Sequence, residues 1–123
     1  MTHADHGYEE LREQGRQLRR EIPGVYAGYA AIHRAVMVDG ALTPRVKELI
    51  ALAVAVTREC DGCVIAHAQG AARQRATAAE VAEAMGVAIL LNGGPGTVWG
   101  PRALAAFKEA AEEVERLVAE AAD

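Results

Sequence analysis

Apolar residues recur at helical spacing along most of the chain, and turn-forming residues divide this pattern into six segments. Clusters of β-branched residues bounded by turn signals, the pattern typical of strands, do not occur. The predicted helices cover approximately residues 8–21, 25–38, 43–58, 60–75, 77–92 and 101 to the C-terminal end. The pattern therefore predicts an all-α protein, a bundle of about six helices.

Residues at the segment boundaries support this division. Thr43 precedes Pro44, so that a side-chain oxygen can accept backbone N–H groups and proline occupies the first helical position. Thr77 is followed three residues later by Glu80, a capping-box pattern. The glycine-rich segment 93–96 predicts a break between the last two helices.

Gly86 and Trp99 each predict a feature of helix packing. Gly86 lies inside the fifth predicted helix, where glycine costs about 1 kcal/mol relative to alanine, and this predicts a close helix crossing. Trp99 follows the glycine-rich break and is predicted to anchor packing or an interface, with a place beside a substrate entrance as the alternative.

The third predicted helix is apolar on all sides over residues 49–56 and should be buried all round. In a chain of 123 residues, other subunits are the simplest way to surround such a helix, so we expect a homo-oligomer. The alternative is that this helix forms the centre of the monomer's own bundle.

Length and charge narrow the class of protein. A chain of 123 residues fits one domain over 1–123, with 1–7 expected to be a mobile tail. The formal charge of −4 and the lack of a basic stripe disfavour nucleic-acid binding. The longest apolar run is too short to span a membrane, and the polar N-terminus lacks the apolar stretch of a secretory signal. We therefore expect a cytoplasmic protein.

The candidate chemistry lies on Cys60, Cys63 and His67. At about 100° per residue these three side chains share one face of the fourth helix, and Cys63 and His67, four residues apart, are neighbours. A helix N-terminus favours thiolate over thiol, and an imidazole can take the thiol proton. In a reducing compartment, paired cysteines indicate redox or metal chemistry more often than a structural disulfide.

Glu48 lies on the third helix, twelve residues before Cys60. Antiparallel packing of the third and fourth helices could bring its carboxylate beside His67, where it would orient the ring like the third member of a triad. Spacing alone also allows a solvated residue near the helix N-terminus.

Other interpretations of these side chains stay open at this point. The two cysteines and the histidine could be core residues, or all four side chains could bind zinc. Structural zinc uses ligands from two separated knuckles, and the chain has no second cysteine pair, so we predict no metal and no other cofactor. His3 and His6 fall in the predicted tail, and His33 is expected to be a packing or surface residue.

The sequence resembles the AhpD-like alkylhydroperoxidase family, within the carboxymuconolactone decarboxylase superfamily. The resemblance covers roughly residues 23–107 and rests on Glu48, the Cys60-x-x-Cys63-x-x-x-His67 motif, Gly86-Val87-Ala88 and Gly93-Gly94-Pro95. It implies an all-helical homotrimer or homohexamer, with thiol peroxidase or disulfide reductase activity that needs neither metal nor flavin.

The resemblance also implies residue roles. Cys63, activated through His67 and Glu48 with a water, attacks a hydroperoxide, Cys60 then closes a disulfide, and an external dithiol or thiol-carrying protein reduces it. One position departs from the family pattern, because Gly62 stands where the family's alkylhydroperoxidase has a histidine. This departure could weaken proton transfer or change the reductant.

The residues themselves leave the attacking thiol open. The helix dipole favours Cys60, whereas adjacency to His67 favours Cys63, and we choose Cys63 because a base one turn away can also remove its proton. Two further functions are alternatives: a redox sensor or binding protein with a reversible disulfide, and lactone decarboxylase-type acid–base chemistry on His67 and Glu48. The presence of the cysteine pair favours the redox branch.

Overall fold

A computed structural model describes residues 3–122, with side chains from Gly7 onward, so most of the predicted tail lies outside the described side chains. These residues form six helices and no strand, which confirms the all-α prediction. The helices are α1 (His3–Glu21), α2 (Pro23–Val36), α3 (Pro44–Thr57), α4 (Asp61–Arg73), α5 (Ala78–Asn92) and α6 (Gly94–Ala122). None of the described helices is long and apolar enough to cross a membrane.

The described residues divide into two compact units between Ala41 and Leu42. The first unit contains α1 and α2, and the Arg19 guanidinium lies 5.2 Å from the centre of the Tyr26 ring. No described residue of α2 is buried, and its apolar side chains Val25, Tyr29, Ile32 and Val36 are largely exposed. That one domain spans residues 1–123 stays a prediction.

The second unit, built from α3 to α6, holds the hydrophobic core. Leu52 of α3, Val64 of α4 and Val81 of α5 are its largest fully buried side chains, and Phe107 of α6 is also buried. The remaining core positions are mostly alanine, which lets these helices approach each other closely.

Helices α3 and α5 have the N-terminal caps that the sequence predicts. Thr43 accepts the backbone N–H of Val46 at 3.3 Å. Thr77 and Glu80 form a complete capping box, in which the Thr77 N–H donates to Glu80 Oε1 at 2.8 Å and the Glu80 N–H donates to Thr77 Oγ1 at 3.1 Å. The backbone hydrogen bond from Thr77 lowers the pKa of the Glu80 carboxyl.

The C-terminal ends of α3 and α4 are two Schellman motifs closed without glycine. Glu59 and Arg75 adopt left-handed backbone conformations, with φ of 52° and 63°. At α3 the Glu59 N–H donates to the Val56 carbonyl and the Cys60 N–H to the Ala55 carbonyl, each at 3.1 Å. This motif turns the chain so that Cys60 is placed directly at the start of α4.

The junction of α5 and α6 differs from the sequence prediction. Residues 93–96 do not form a long break, because Gly93 alone makes the turn at φ 67° and α6 begins at Gly94. Pro101, predicted to begin the last helix, lies inside it. Pro101 lies beyond the first turn of α6, so it leaves the Thr97 carbonyl without its backbone N–H partner, and the helix continues through it.

The close approach between α5 and α6 occurs at a different glycine from the one that the sequence predicts. Gly86 is exposed, and a Cβ added there would meet no neighbouring atom within 4 Å, so the predicted close crossing does not occur within the single chain. The close approach occurs at Gly96, where an added Cβ would lie 2.8 Å from the Cα of Ile89. The α5–α6 corner therefore needs a glycine at 96 and not at 86.

The apolar third helix is only partly covered within the described chain. Leu52, Ala55 and Val56 are buried, but Ile50 and Val54 are 50% and 54% exposed. The prediction of burial all round is therefore wrong for the single chain, whose own helices cover one side of α3.

We expect Gly96→Ala and Gly86→Ala to change stability in opposite directions. The first forces a Cβ against the α5 backbone and should lower the free energy of unfolding by about 1–3 kcal/mol. The second removes glycine from an open helical position and should raise it by about 0.5–1 kcal/mol. Urea unfolding of both variants measures this difference, and equal effects would contradict the assigned packing.

Candidate redox site

Cys60 and Cys63 are joined by a disulfide at the N-terminus of α4. Cys60 is the N-cap residue, and its sulfur accepts the backbone N–H of Cys63 at 3.3 Å. The two Cα atoms are 5.2 Å apart, within the usual range for a disulfide. The bridge therefore closes without interrupting α4, and Cys63 stays exposed at the surface.

Glu48 and His67 form a hydrogen bond between α3 and α4. The His67 Nδ1–H donates to Glu48 Oε2 at 2.9 Å. Glu48 is only 7% exposed, and the His67 side chain is 25% exposed. The structure thus confirms the expected proximity of the two side chains and excludes the solvated position for Glu48.

This hydrogen bond fixes which ring nitrogen can act as a base. A carboxylate only accepts hydrogen bonds, so the proton of a neutral His67 ring lies on Nδ1. Nε2 then carries the free lone pair, which is the arrangement of a triad histidine. The Glu48–His67 pair is therefore oriented to take a proton at Nε2.

Cys63 and His67 lie four residues apart on α4, on the same helical face. Among the described side chains, His67 forms its hydrogen bond with Glu48 and not with Cys63. Within the disulfide, Cys63 has no thiol proton to share. The two sulfurs and the imidazole thus occupy successive turns at the start of α4, and the Glu48 carboxylate reaches the imidazole from α3.

Gly70, one turn beyond His67, is a site residue that sequence reasoning missed. It is buried, and a Cβ added there would lie 2.5 Å from Glu48 Cδ. The Glu48 carboxylate therefore rests directly on the backbone of α4. The available signal was a glycine inside a helix at position i+3 from His67.

Arg102 and Trp99 of α6 flank the start of α4. Arg102 Nη2 lies 3.3 Å from the carboxylate of Asp61, the residue after Cys60. The Arg102 guanidinium stacks 4.4 Å from the centre of the Trp99 ring. Both members of the ion pair are more than half exposed, so it contributes little to stability. Trp99 thus stacks on the Arg102 guanidinium, which lies beside the start of α4.

The described residues contain no group of three or more His, Cys, Asp or Glu side chains arranged to hold a metal ion. His33 lies in α2, in the other compact unit, and is exposed. The side chains of His3 and His6 lie outside the described residues.

Comparison with known sequences identifies related proteins. Residues 23–112 match the sequence model of the carboxymuconolactone decarboxylase family. An uncharacterized protein from Cupriavidus necator is 39% identical over 98 residues, which cover 80% of this chain and 87% of that protein. An uncharacterized protein encoded in the cox locus of Paracoccus denitrificans is 38% identical, covering 66% of this chain and 73% of its own length.

Comparison with solved structures gives the same family. The crystal structure of an apo carboxymuconolactone decarboxylase family protein from Legionella pneumophila is similar to this chain, with a TM-score of 0.83 and 35% sequence identity. The similarity covers 88% of this chain and 96% of that protein. The six-helix arrangement is therefore the fold of that relative.

Proposed function

Because the chain belongs to the carboxymuconolactone decarboxylase family, we propose that it is a member of the redox branch, a cysteine-based hydroperoxide reductase. The observation that carries this proposal is the Cys60–Cys63 disulfide at the start of α4, with the Glu48–His67 hydrogen bond on the next turn. A reversible disulfide and an oriented base are the two parts that thiol peroxidase chemistry needs.

The first step is attack of the Cys63 thiolate on the distal oxygen of a hydroperoxide. His67 takes the thiol proton at Nε2, directly or through one water, while Glu48 stabilises the imidazolium. The new S–O bond forms as the O–O bond breaks, and the leaving alkoxide takes the proton from His67. The products are an alcohol and a sulfenic acid on Cys63, so sulfur is oxidised and peroxide oxygen is reduced.

The second step closes the disulfide seen in the structure. The Cys60 thiol attacks the sulfenic sulfur of Cys63, and water leaves with the thiol proton. The N–H of Cys63 already points to the Cys60 sulfur, so the resolving sulfur lies in reach without unwinding α4. The closeness of the two sulfurs lets either one close the bridge, and it is the position of Cys63 one turn before His67 that supports Cys60 as the resolving cysteine.

An external dithiol, or a protein that carries one, completes the cycle by thiol–disulfide exchange. It becomes a disulfide as Cys60 and Cys63 return to thiols. Exposure of Cys63 supports this exchange, because the incoming thiolate needs access to a sulfur. We place this cycle in the cytoplasm, where thiol reductants keep such pairs reduced.

The test is steady-state turnover of tert-butyl hydroperoxide, cumene hydroperoxide and hydrogen peroxide with dithiothreitol or thioredoxin. Cys63→Ser should abolish turnover. His67→Gln should lower kcat/KM on the order of 10²- to 10⁴-fold because the general base is lost. Glu48→Gln should lower it by roughly 10²- to 10⁴-fold because the ring loses its orienting charge.

His33→Gln is the matched control, since it removes an exposed histidine of α2 and should leave kcat/KM unchanged. Cys60→Ser should leave a sulfenic acid that dimedone traps on Cys63, whereas trapping only in Cys63→Ser would reverse the two roles. A slow, stoichiometric reaction with peroxide would indicate a redox sensor instead. Lactone decarboxylation that survives thiol alkylation would indicate acid–base chemistry on Glu48 and His67.

The same proposal includes assembly of the chain into a homotrimer or homohexamer. Large apolar side chains remain exposed on α3 and α5, including Ile50, Val54, Val87, Leu90 and Leu91, and the last two are 80% and 79% exposed. Large apolar side chains exposed in this number are typical of subunit interfaces. Burial between copies would complete the coverage of α3 that the single chain lacks.

Light scattering coupled to size exclusion should therefore give three or six times the 13.0 kDa mass of one chain. Leu90→Lys with Leu91→Lys should shift the protein toward smaller species, because burying two lysines without partners is unfavourable. Glu109→Lys, at an exposed polar position of α6 and away from the apolar face of α5, changes the charge by the same amount and is the control. A wild-type monomer at micromolar concentration would contradict the proposed assembly.

A further inference from the structure

We propose that Gly70 is a positioning residue for the redox site, because only glycine at this place lets the Glu48 carboxylate reach His67. This inference rests on the proposed function for its effect on turnover. The positioning itself is a statement about one hydrogen bond, and it can be tested without any peroxide.

The geometry shows how closely the carboxylate rests on α4. A Cβ built on Gly70 would lie 2.5 Å from Glu48 Cδ, 2.5 Å from Oε2 and 2.6 Å from Oε1. These nearly equal distances mean that the Cβ would meet the face of the carboxylate and not a single oxygen. Rotation of the carboxylate about its last bond leaves Cδ in place, so it cannot relieve this contact.

Relief therefore requires the carboxyl group to move as a whole. Carbon atoms pack at about 3.5–4.0 Å, so the group would have to retreat by roughly 1 Å. Glu48 is 7% exposed, so the carboxyl group would have to make this movement inside the protein or give up its buried position. Its hydrogen bond to His67 Nδ1 is 2.9 Å long, and a retreat of that size from α4 takes it beyond normal range.

Position 70 is otherwise a place where alanine would be favoured. It lies inside α4, where glycine costs helix stability relative to alanine, and Ala68, Ala71 and Ala72 around it are all buried alanines. At Gly70 the space that a Cβ would occupy is taken by the Glu48 carboxylate. Glycine at position 70 therefore lowers the stability of α4 but leaves room for the Glu48 carboxylate.

The direct test is the tautomer of the His67 ring, read from its ring nitrogens by long-range ¹H–¹⁵N NMR. In the wild type the Nδ1–H form should dominate, and its signals are assigned by their loss in His67→Gln. Gly70→Ala should shift the ring toward the Nε2–H form that free imidazole prefers. Gly86→Ala is the matched control, because a Cβ there meets no described atom, and it should leave the tautomer unchanged.

Turnover and thermal unfolding complete the test. Gly70→Ala should lower kcat/KM for tert-butyl hydroperoxide with dithiothreitol on the order of 10- to 100-fold and should lower Tm. In a Glu48→Ala background the carboxylate is gone, so adding Gly70→Ala should raise Tm and change kcat/KM less than twofold. This reversal of sign is specific to a clash with Glu48.

Each outcome decides the proposal. An unchanged His67 tautomer in folded Gly70→Ala, or the same loss of Tm with and without Glu48, would overturn it. Should Gly70→Ala fail to fold, a folded Gly70→Ala/Glu48→Ala double variant supports the proposal, and an unfolded one contradicts it. A shifted tautomer in a protein whose wild type reduces no hydroperoxide would keep the positioning role and refute the proposed function.

Discussion

The hydrogen bond between Glu48 and His67 is the interaction on which the site depends. A buried carboxylate is costly unless it is hydrogen-bonded, and here its partner is the imidazole of the neighbouring helix. In return the ring is held in one tautomer, with its free nitrogen available. One contact therefore joins α3 to α4 and also prepares the base that the proposed chemistry uses.

The helix ends around this contact place the sulfurs relative to it. The Schellman motif at Glu59 ends α3 and puts Cys60 at the N-cap of α4, where its sulfur accepts a backbone N–H. Cys63 then lies one turn before His67 on a single rigid element. Because α4 carries both sulfurs and the imidazole, the relative positions of these groups are set mainly by helix geometry, and only Glu48 has to be brought in by packing.

Much of this arrangement could be predicted from the sequence. Capping signals at Thr43 and Thr77 are local, and so is the i, i+4 spacing of the site motif. The errors concern what packing decides: α6 begins at Gly94 and not at Pro101, and α3 is covered on one side only by the chain's own helices. Glycines were the hardest to interpret, because Gly86 and Gly70 look alike in sequence and only packing shows which one has a neighbour.

The most direct measurement is the rate at which iodoacetamide alkylates Cys63 at pH 7, relative to its rate at pH 9.5, in reduced Cys60→Ser protein. An ordinary thiol is only a few per cent thiolate at neutral pH. The account predicts a rate at pH 7 that is a large fraction of the alkaline rate and falls to the ordinary few per cent in His67→Gln. The same pH dependence with and without His67 would contradict activation of the thiol by the imidazole.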